Sequence, residues 1–214
     1  MKKLICIISV VFTLSLASIV YAQLGKTSGP RFYTEFKPIV GGWAEYQVTA
    51  EEGQPSKMKI AIVGKEGDAY WYETVIETKH EGRSVIKVLV SGDPEDPNNV
   101  KRVIVKTGNE PAMEIPTLMR QQPSEVNKQP AKVVDKGIET INVPAGTFTT
   151  KRFQYQEPDG VVDAWVHKDV PPYGVIKSQS KDFEMVLIGY GIGAKTLITE
   201  KPQKFEIPMM PQMR

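Results

Sequence analysis

From Trp43 to Ala50 the chain alternates. Ala44, Tyr46 and Val48 project to one side, and Glu45, Gln47 and Thr49 to the other. A period of two marks a strand with one buried face. The pattern repeats at Met58, Ile60 and Ile62, set against Lys57 and Lys59. After a turn at Gly64–Asp68, Tyr70, Tyr72 and Ile76 oppose Trp71 and Val75. His80–Gly82 turns the chain into a strand from Ser84 to Ser91, and a further strand runs from Val100 to Thr107. Links this short cannot carry parallel crossovers, so the front half is predicted to be an antiparallel meander.

The alternation then stops. Asn109-Glu110-Pro111 reads as a helix start, with proline in the first turn. Met113, Leu118 and Met119 would form an apolar face on a short helix over Pro111–Gln122, broken or ended by Pro116. Polar, proline-bearing Gln121–Pro130 reads as loop. Strands resume on either side of Pro144-Ala145-Gly146, then at Val161–His167, Val175–Ser180, Phe183–Tyr190 and Ala194–Thr199. The tail from Lys201, rich in proline and methionine, is expected to be mobile.

One link is unusual. Between Trp165 and Val175 the chain reads VHKDVPPYG. Adjacent prolines lack backbone donors and favour extended backbone, while a glycine admits a sharp bend. A stiff bridge over Val170–Gly174 is therefore expected, turning a strongly curved sheet at its rim. Tyr173 would ride on it, either exposed at the surface or reaching over the rim toward a ligand.

The first 22 residues change the picture of where the protein acts. Lys2 and Lys3 precede the apolar run from Leu4 to Val20, and Val20-Tyr21-Ala22 places small residues at the positions a signal peptidase reads. Cleavage is expected after Ala22, with export to the periplasm. The sole cysteine, Cys6, falls inside the leader, so the exported chain would have no disulfide, thiolate metal site or cysteine nucleophile. The chain carries 27 Lys and Arg against 25 Asp and Glu. Loss of Lys2 and Lys3 balances them, and the remaining basic residues are scattered, so no nucleic-acid partner is expected.

Chemistry-bearing patterns are few. His80 and His167 are far apart in sequence and lack the neighbouring ligands of a metal site. No Gly-x-Ser-x-Gly elbow, HExxH or P-loop occurs. Glu157, Asp159, Asp163 and Asp169 cluster in sequence but are accounted for by turns and solvated faces. Met209, Met210 and Met213 lack an adjacent histidine for a copper site. Neither an enzymatic activity nor a cofactor nor a metal is expected.

The segments INVPAGTFTTKRF, DGVVDAWVHKDVPPYGVIKSQ and MVLIGYG resemble the back half of small exported β-rich proteins similar to the LolA/LolB-type lipoprotein carriers. GGWAEYQV and AYWYE are similar to their front half, so the resemblance spans roughly residues 40–200. It implies a mainly β fold: a strongly curved antiparallel meander, or half-open barrel, around one short helical plug or lid. The domain plan becomes 1–22 signal peptide, 23–40 lead-in, 41–200 a single half-barrel and 201–214 a mobile tail. The concave face would present Tyr46, Met58, Ile60, Ile62, Tyr70, Tyr72, Val88, Val103 and Val105, with Met113, Leu118 and Met119 as plug; Trp165 and Tyr173 complete the candidate set. Such a wall suits a lipid or lipoprotein acyl chain, since each buried methylene is worth about 0.8 kcal/mol. The alternative is a wall that fills itself, in a cell-envelope interaction or scaffold protein with a protein partner.

Overall fold

The computed structural model describes residues 32, 34–50, 54–80, 82–116, 132–157 and 160–204. Twelve strands follow one another: β1 Trp43–Ala50, β2 Ser56–Glu66, β3 Ala69–Thr78, β4 Gly82–Val90, β5 Val100–Thr107, β6 Met113–Ile115, β7 Lys132–Val143, β8 Gly146–Glu157, β9 Gly160–Val166, β10 Val175–Gln179, β11 Phe183–Gly191 and β12 Gln203–Lys204. They form one sheet in the order β12-β6-β5-β4-β3-β2-β1-β11-β10-β9-β8-β7. Two meanders are thus joined back to back by antiparallel pairing of β1 with β11, from Trp43↔Gly191 to Ala50↔Phe183. Every pairing is antiparallel except β12 with β6. The sheet is curved but open, with free ends at β12 and β7.

Curvature follows from local irregularity. Register shifts interrupt the pairings at Glu45/Tyr46, Ile62/Gly64, Leu89/Val90, Asp135/Gly137 and Val175/Lys177. Bulges of this kind bend a strand and raise its twist. The sheet curls far enough for the β7–β8 turn to meet β11, where the Ala145 amide donates to the Leu187 carbonyl at 3.3 Å, although β9 and β10 intervene in the sheet.

The registers align the apolar side chains into rows. Tyr46, Met58 and Ile76 form one row; Ala44, Ile60, Thr74, Ile86, Val105 and Met113 a second; Ile62, Tyr72, Val88, Val103 and Ile115 a third. This is the concave face. Its core also takes Phe32, Tyr173, Ile176, Met185 and Leu187, and Tyr46, Ile60, Ile62, Ile176, Met185 and Leu187 are fully buried.

The opposite face has its own cover. Residues 192–204 run as a strap across β3, β4 and β5. Ile198 packs on Val75, Val85, Ile104 and Ala112. Buried Glu73 accepts from Thr196 Oγ1 at 2.5 Å and from the Leu197 amide at 3.0 Å, while Lys87 Nζ donates to Thr196 Oγ1 at 3.1 Å. Lys106 pairs with Glu200, and the Gln203 amide reaches the Ala112 carbonyl at 2.8 Å.

Several expectations are corrected here. Met113–Ile115 is a strand, not the start of a helix. Met113, Glu114 and Ile115 find partners on β5, and prolines at 111 and 116 bracket too few residues for a helical turn to compete. Leu118 and Met119 lie outside the described residues. Ala194–Thr199 is irregular strap rather than strand, because its donors go to Gly41 and Glu73 instead of a ladder. Gln203–Lys204, expected within a mobile tail, is strand β12.

The double proline does not form an extended bridge. Residues 167–174 fold on themselves: His167 donates to the Gly174 carbonyl at 2.7 Å, Gly174 to Val170 at 2.7 Å and Val170 to His167 at 3.3 Å. The Pro171–Pro172 peptide is cis. Val170, Pro172 and Tyr173 are buried, so Tyr173 is not an exposed surface residue. Gly174 sits at φ +77°, and a Cβ there would stand 2.9 Å from the His167 carbonyl oxygen. Tight loop closure, not rigidity, is what the glycine serves.

Two stability outcomes follow. Gly174→Ala should lower unfolding stability by about 3 kcal/mol, against about 1 kcal/mol for Gly137→Ala, which has positive φ but open space around it. Equal losses in urea titrations would contradict a steric role for Gly174. Ser178 is 1% exposed and its hydroxyl has no hydrogen-bond partner among the described residues. Ser178→Ala should therefore leave stability unchanged or raise it by up to about 1 kcal/mol; a clear fall in melting temperature would contradict this.

Candidate functional site

The concave face brings most of the sequence-predicted residues together. Tyr46, Met58, Ile60, Ile62 and Tyr72 belong to its buried core, and Tyr70 packs against them half-buried. Val88, Val103 and Val105 extend the same surface across β4 and β5, and Met113 closes it on β6. Trp165 stands apart. Strand alternation turns it away from Ala164 and Ser178, and its ring lies beneath the Arg152 guanidinium at 4.8 Å and Lys177 Nζ at 5.5 Å. Its indole N–H donates to Glu139 Oε2 at 2.9 Å. Cations over the ring and a carboxylate at its edge make this a polar clasp between strands rather than part of an apolar wall.

Sequence reasoning missed the residues that cover the wall. Phe32 stacks on Tyr173 with ring centroids 4.4 Å apart and planes 3° from parallel. Phe36 meets Tyr173 at 5.4 Å and Tyr72 edge-on at 6.1 Å. The lead-in is stapled to the double-proline loop by the Lys37 amide, donating to the Pro172 carbonyl at 2.9 Å, and by Thr34 Oγ1, donating to the Tyr173 carbonyl. The Phe32 amide donates to Glu95 Oε1 at 2.7 Å. A signal was available: Phe32 and Phe36 are aromatic residues four apart in a lead-in that carries no strand alternation. It had no period to reveal it, because an irregular segment has none.

The phenols under this cover are strongly perturbed. Burial pushes the Tyr46, Tyr72 and Tyr173 hydroxyls well above the usual tyrosine range. At Tyr173 the neighbouring Tyr72 and the carboxylates of Asp93 and Glu95 add to the effect. Tyr46 Oη donates to the Val175 carbonyl at 3.1 Å, and Tyr173 Oη to Asp93 Oδ1 at 3.3 Å. These are neutral donors that anchor the cover, unsuited to giving up a proton near neutral pH.

Beside the cover a cleft of about 500 Å³ opens between the lead-in and the double-proline loop. Thr34, Lys37 and Ile39 form one wall, and Val166, His167 and Pro171 are among the residues of the other. Ile39 is 51% exposed, an apolar side chain facing water at the cleft's edge. Further along the concave face Ile76, Ile86, Val88, Val103, Met113 and Ile115 are only half-buried. The site thus has two parts: a sealed aromatic region over β1–β3 and a partly covered aliphatic shelf over β3–β6. Both offer burial and shape to an apolar partner.

The raised phenols carry a sign. A tyrosine whose folded-state value exceeds the unfolded value of about 10 stabilises the fold below that pH, and the stabilisation is lost as pH rises above it. Above pH 10, stability should fall by up to about 1.4 kcal/mol per pH unit for each of Tyr46, Tyr72 and Tyr173. Urea midpoints measured between pH 8 and 11 check this. Tyr173→Phe should flatten the slope, and an unchanged slope would show that Tyr173 does not contribute.

No protein-family model matches the chain. No curated protein matches its sequence. Among solved structures, a candidate lipoprotein from Parabacteroides distasonis shares 16% identity at a TM-score of 0.39, over 74% of this chain and 99% of that one. A candidate exported protein with a YmcC-like fold from Bacteroides fragilis shares 12% at 0.37, again over 74% and 99%. MucB shares 11% at 0.43, and the match spans 73% of this chain but only 55% of MucB. Likenesses this distant assign the chain to no family.

Proposed function

We propose that the chain is an exported, non-enzymatic binding protein of the cell envelope that holds an apolar guest, such as a lipid or lipoprotein acyl chain, against the concave face of its sheet. The observation that carries this reading is the aliphatic shelf. Ile76, Ile86, Val88, Val103, Met113 and Ile115 continue the rows of the buried core yet remain only half-buried. An acyl chain laid along them would remove apolar surface from water at about 25 cal/mol per Å². It would need no charged anchor.

Saturable binding of cis-parinaric acid, read by its fluorescence, tests the reading. Val103→Asp should weaken binding at least tenfold, about 1.4 kcal/mol, by placing a carboxylate in the shelf. Its melting temperature should fall by only a few degrees. Absence of saturable binding by the wild-type protein, or equal binding by the variant, would defeat the proposal.

A second reading, a scaffold that docks another protein, is favoured by a different feature. β7 is a twelve-residue edge strand, and Ile138 on it is 78% exposed. An open edge can accept a partner's strand, although Lys132, Lys136 and the bulge at Asp135/Gly137 blunt it. A photo-crosslinker at Ile138 should then yield protein adducts in intact cells. Lipid adducts alone, or none, would speak against this reading.

A further inference from the structure

The lead-in is a peculiar cover. It lies across the concave face as one irregular pass, without entering the sheet. Among the described residues it joins the sheet only through the turn at 39–42, where the Gly42 amide donates to Ile39 at 2.7 Å and the Gly41 amide to Ile62 at 2.7 Å. Its grip consists of two aromatic side chains and a few polar staples. Phe32 stacks on Tyr173, and Phe36 packs between Tyr173 and Tyr72. The Phe32 amide, Thr34 hydroxyl and Lys37 amide make the staples to Glu95, Tyr173 and Pro172.

Two features set this contact apart from ordinary core packing. The groove under the lead-in is walled by residues from outside it. Its walls are Tyr46 and Tyr72, from the sheet, and Tyr173, held by a loop whose hydrogen bonds among His167, Val170 and Gly174 owe nothing to the lead-in. Thr34, Glu35, Lys37 and Ile39 of the lead-in also line the cleft of about 500 Å³ that separates part of it from the double-proline loop, so the two are not packed together along their whole length. Lys37 and Glu35, paired at 3.2 Å, are 61% and 78% exposed and tie the segment to nothing else through that pair.

We infer that the described part of the lead-in, residues 32 and 34–39, is a resident occupant of the guest site, which an apolar guest displaces by taking the places of Phe32 and Phe36. The inference rests on the reading of the concave face as a guest site and adds its regulation. The sheet and the double-proline loop form the receptor. The lead-in is a built-in competitor that keeps the aromatic groove dry when no guest is present and sets the apparent affinity. In a competition of this kind the measured affinity is the intrinsic one reduced by the fraction of molecules whose groove is open. A guest that lies on the aliphatic shelf would extend into the groove as the phenylalanines leave it, and the lead-in would lift from the double-proline loop while Gly41 and Gly42 keep it joined to the sheet.

The test uses the full exported chain, with cis-parinaric acid as probe. Phe32→Ala with Phe36→Ala should bind the acid roughly tenfold more tightly than wild type, because the competitor is weakened while the walls remain. Hydrogen exchange supplies a readout that does not require the variant to fold. Amides of residues 34–39 in the wild-type protein should exchange faster when the acid is added, while those of β1 and β2 stay protected. Wild-type binding with the lead-in still protected would overturn the exchange and leave the guest reading intact. Failure of wild type and of a folded variant to bind would overturn both.

Discussion

A sheet with one greasy face must cover that face, and in this protein the cover hangs on a single stack, Phe32 on Tyr173. Tyr173 gets there because the loop after β9 closes on itself through Gly174 and turns the ring inward. Phe32 gets there because the lead-in is stapled to the same loop. The two rings then bring together pieces of chain that are about as far apart in sequence as the fold allows. Tyr46 and Tyr72 lie beneath them as the floor, and the Asp93–Glu95 turn contributes acceptors for the Tyr173 hydroxyl and the Phe32 amide. Loss of the loop geometry would uncover the floor and release the lead-in together.

The two faces of the sheet are closed by different chemistry. The concave face is closed by aromatic and aliphatic contact, which is non-directional and tolerates exchange of one apolar occupant for another. The other face is closed by the strap over β3–β5, and there the fastening is specific. Glu73 is covered by the strap and satisfied by a hydroxyl and an amide of the same strap, so the segment that takes the carboxylate out of water also supplies its hydrogen bonds. Cations over Trp43, Trp71 and Trp165 decorate the outer surface. Exposed pairs such as Arg83–Glu77 contribute little by themselves. A fold built this way has one fixed face and one adaptable face, and the guest reading belongs to the adaptable one.

Much of the wall was readable from alternation. Tyr46, Met58, Ile60, Ile62, Tyr70 and Tyr72 were placed on one face by a period of two, and the registers keep them there. Trp165 was misassigned because its strand carries apolar residues on both sides, Ala164 on one and Trp165 on the other, so period alone cannot say which points inward. The helix at Pro111 was misread because capping signals are local, whereas Met113–Ile115 answers to β5 across the sheet. The prolines at 171 and 172 marked an unusual link between two strands. The shape of the loop they belong to was not legible, since it depends on where Tyr173 finds aromatic neighbours.

The amino-acid sequence by itself determined most of the strands, the turns between them, the apolar side of the front meander and the absence of cysteine beyond Cys6. Each of these is encoded within a few neighbouring residues, as a period, a turn residue or a composition. Tertiary structure alone decided the pairing of β1 with β11, the burial of Tyr173 and the seating of Phe32 and Phe36 on the concave face. It alone decided the strap that satisfies Glu73. Those outcomes join residues separated by tens to more than a hundred positions, and no local pattern specifies a partner at that distance. They are chosen by which surfaces the curved sheet leaves uncovered, and that is known only once the sheet exists.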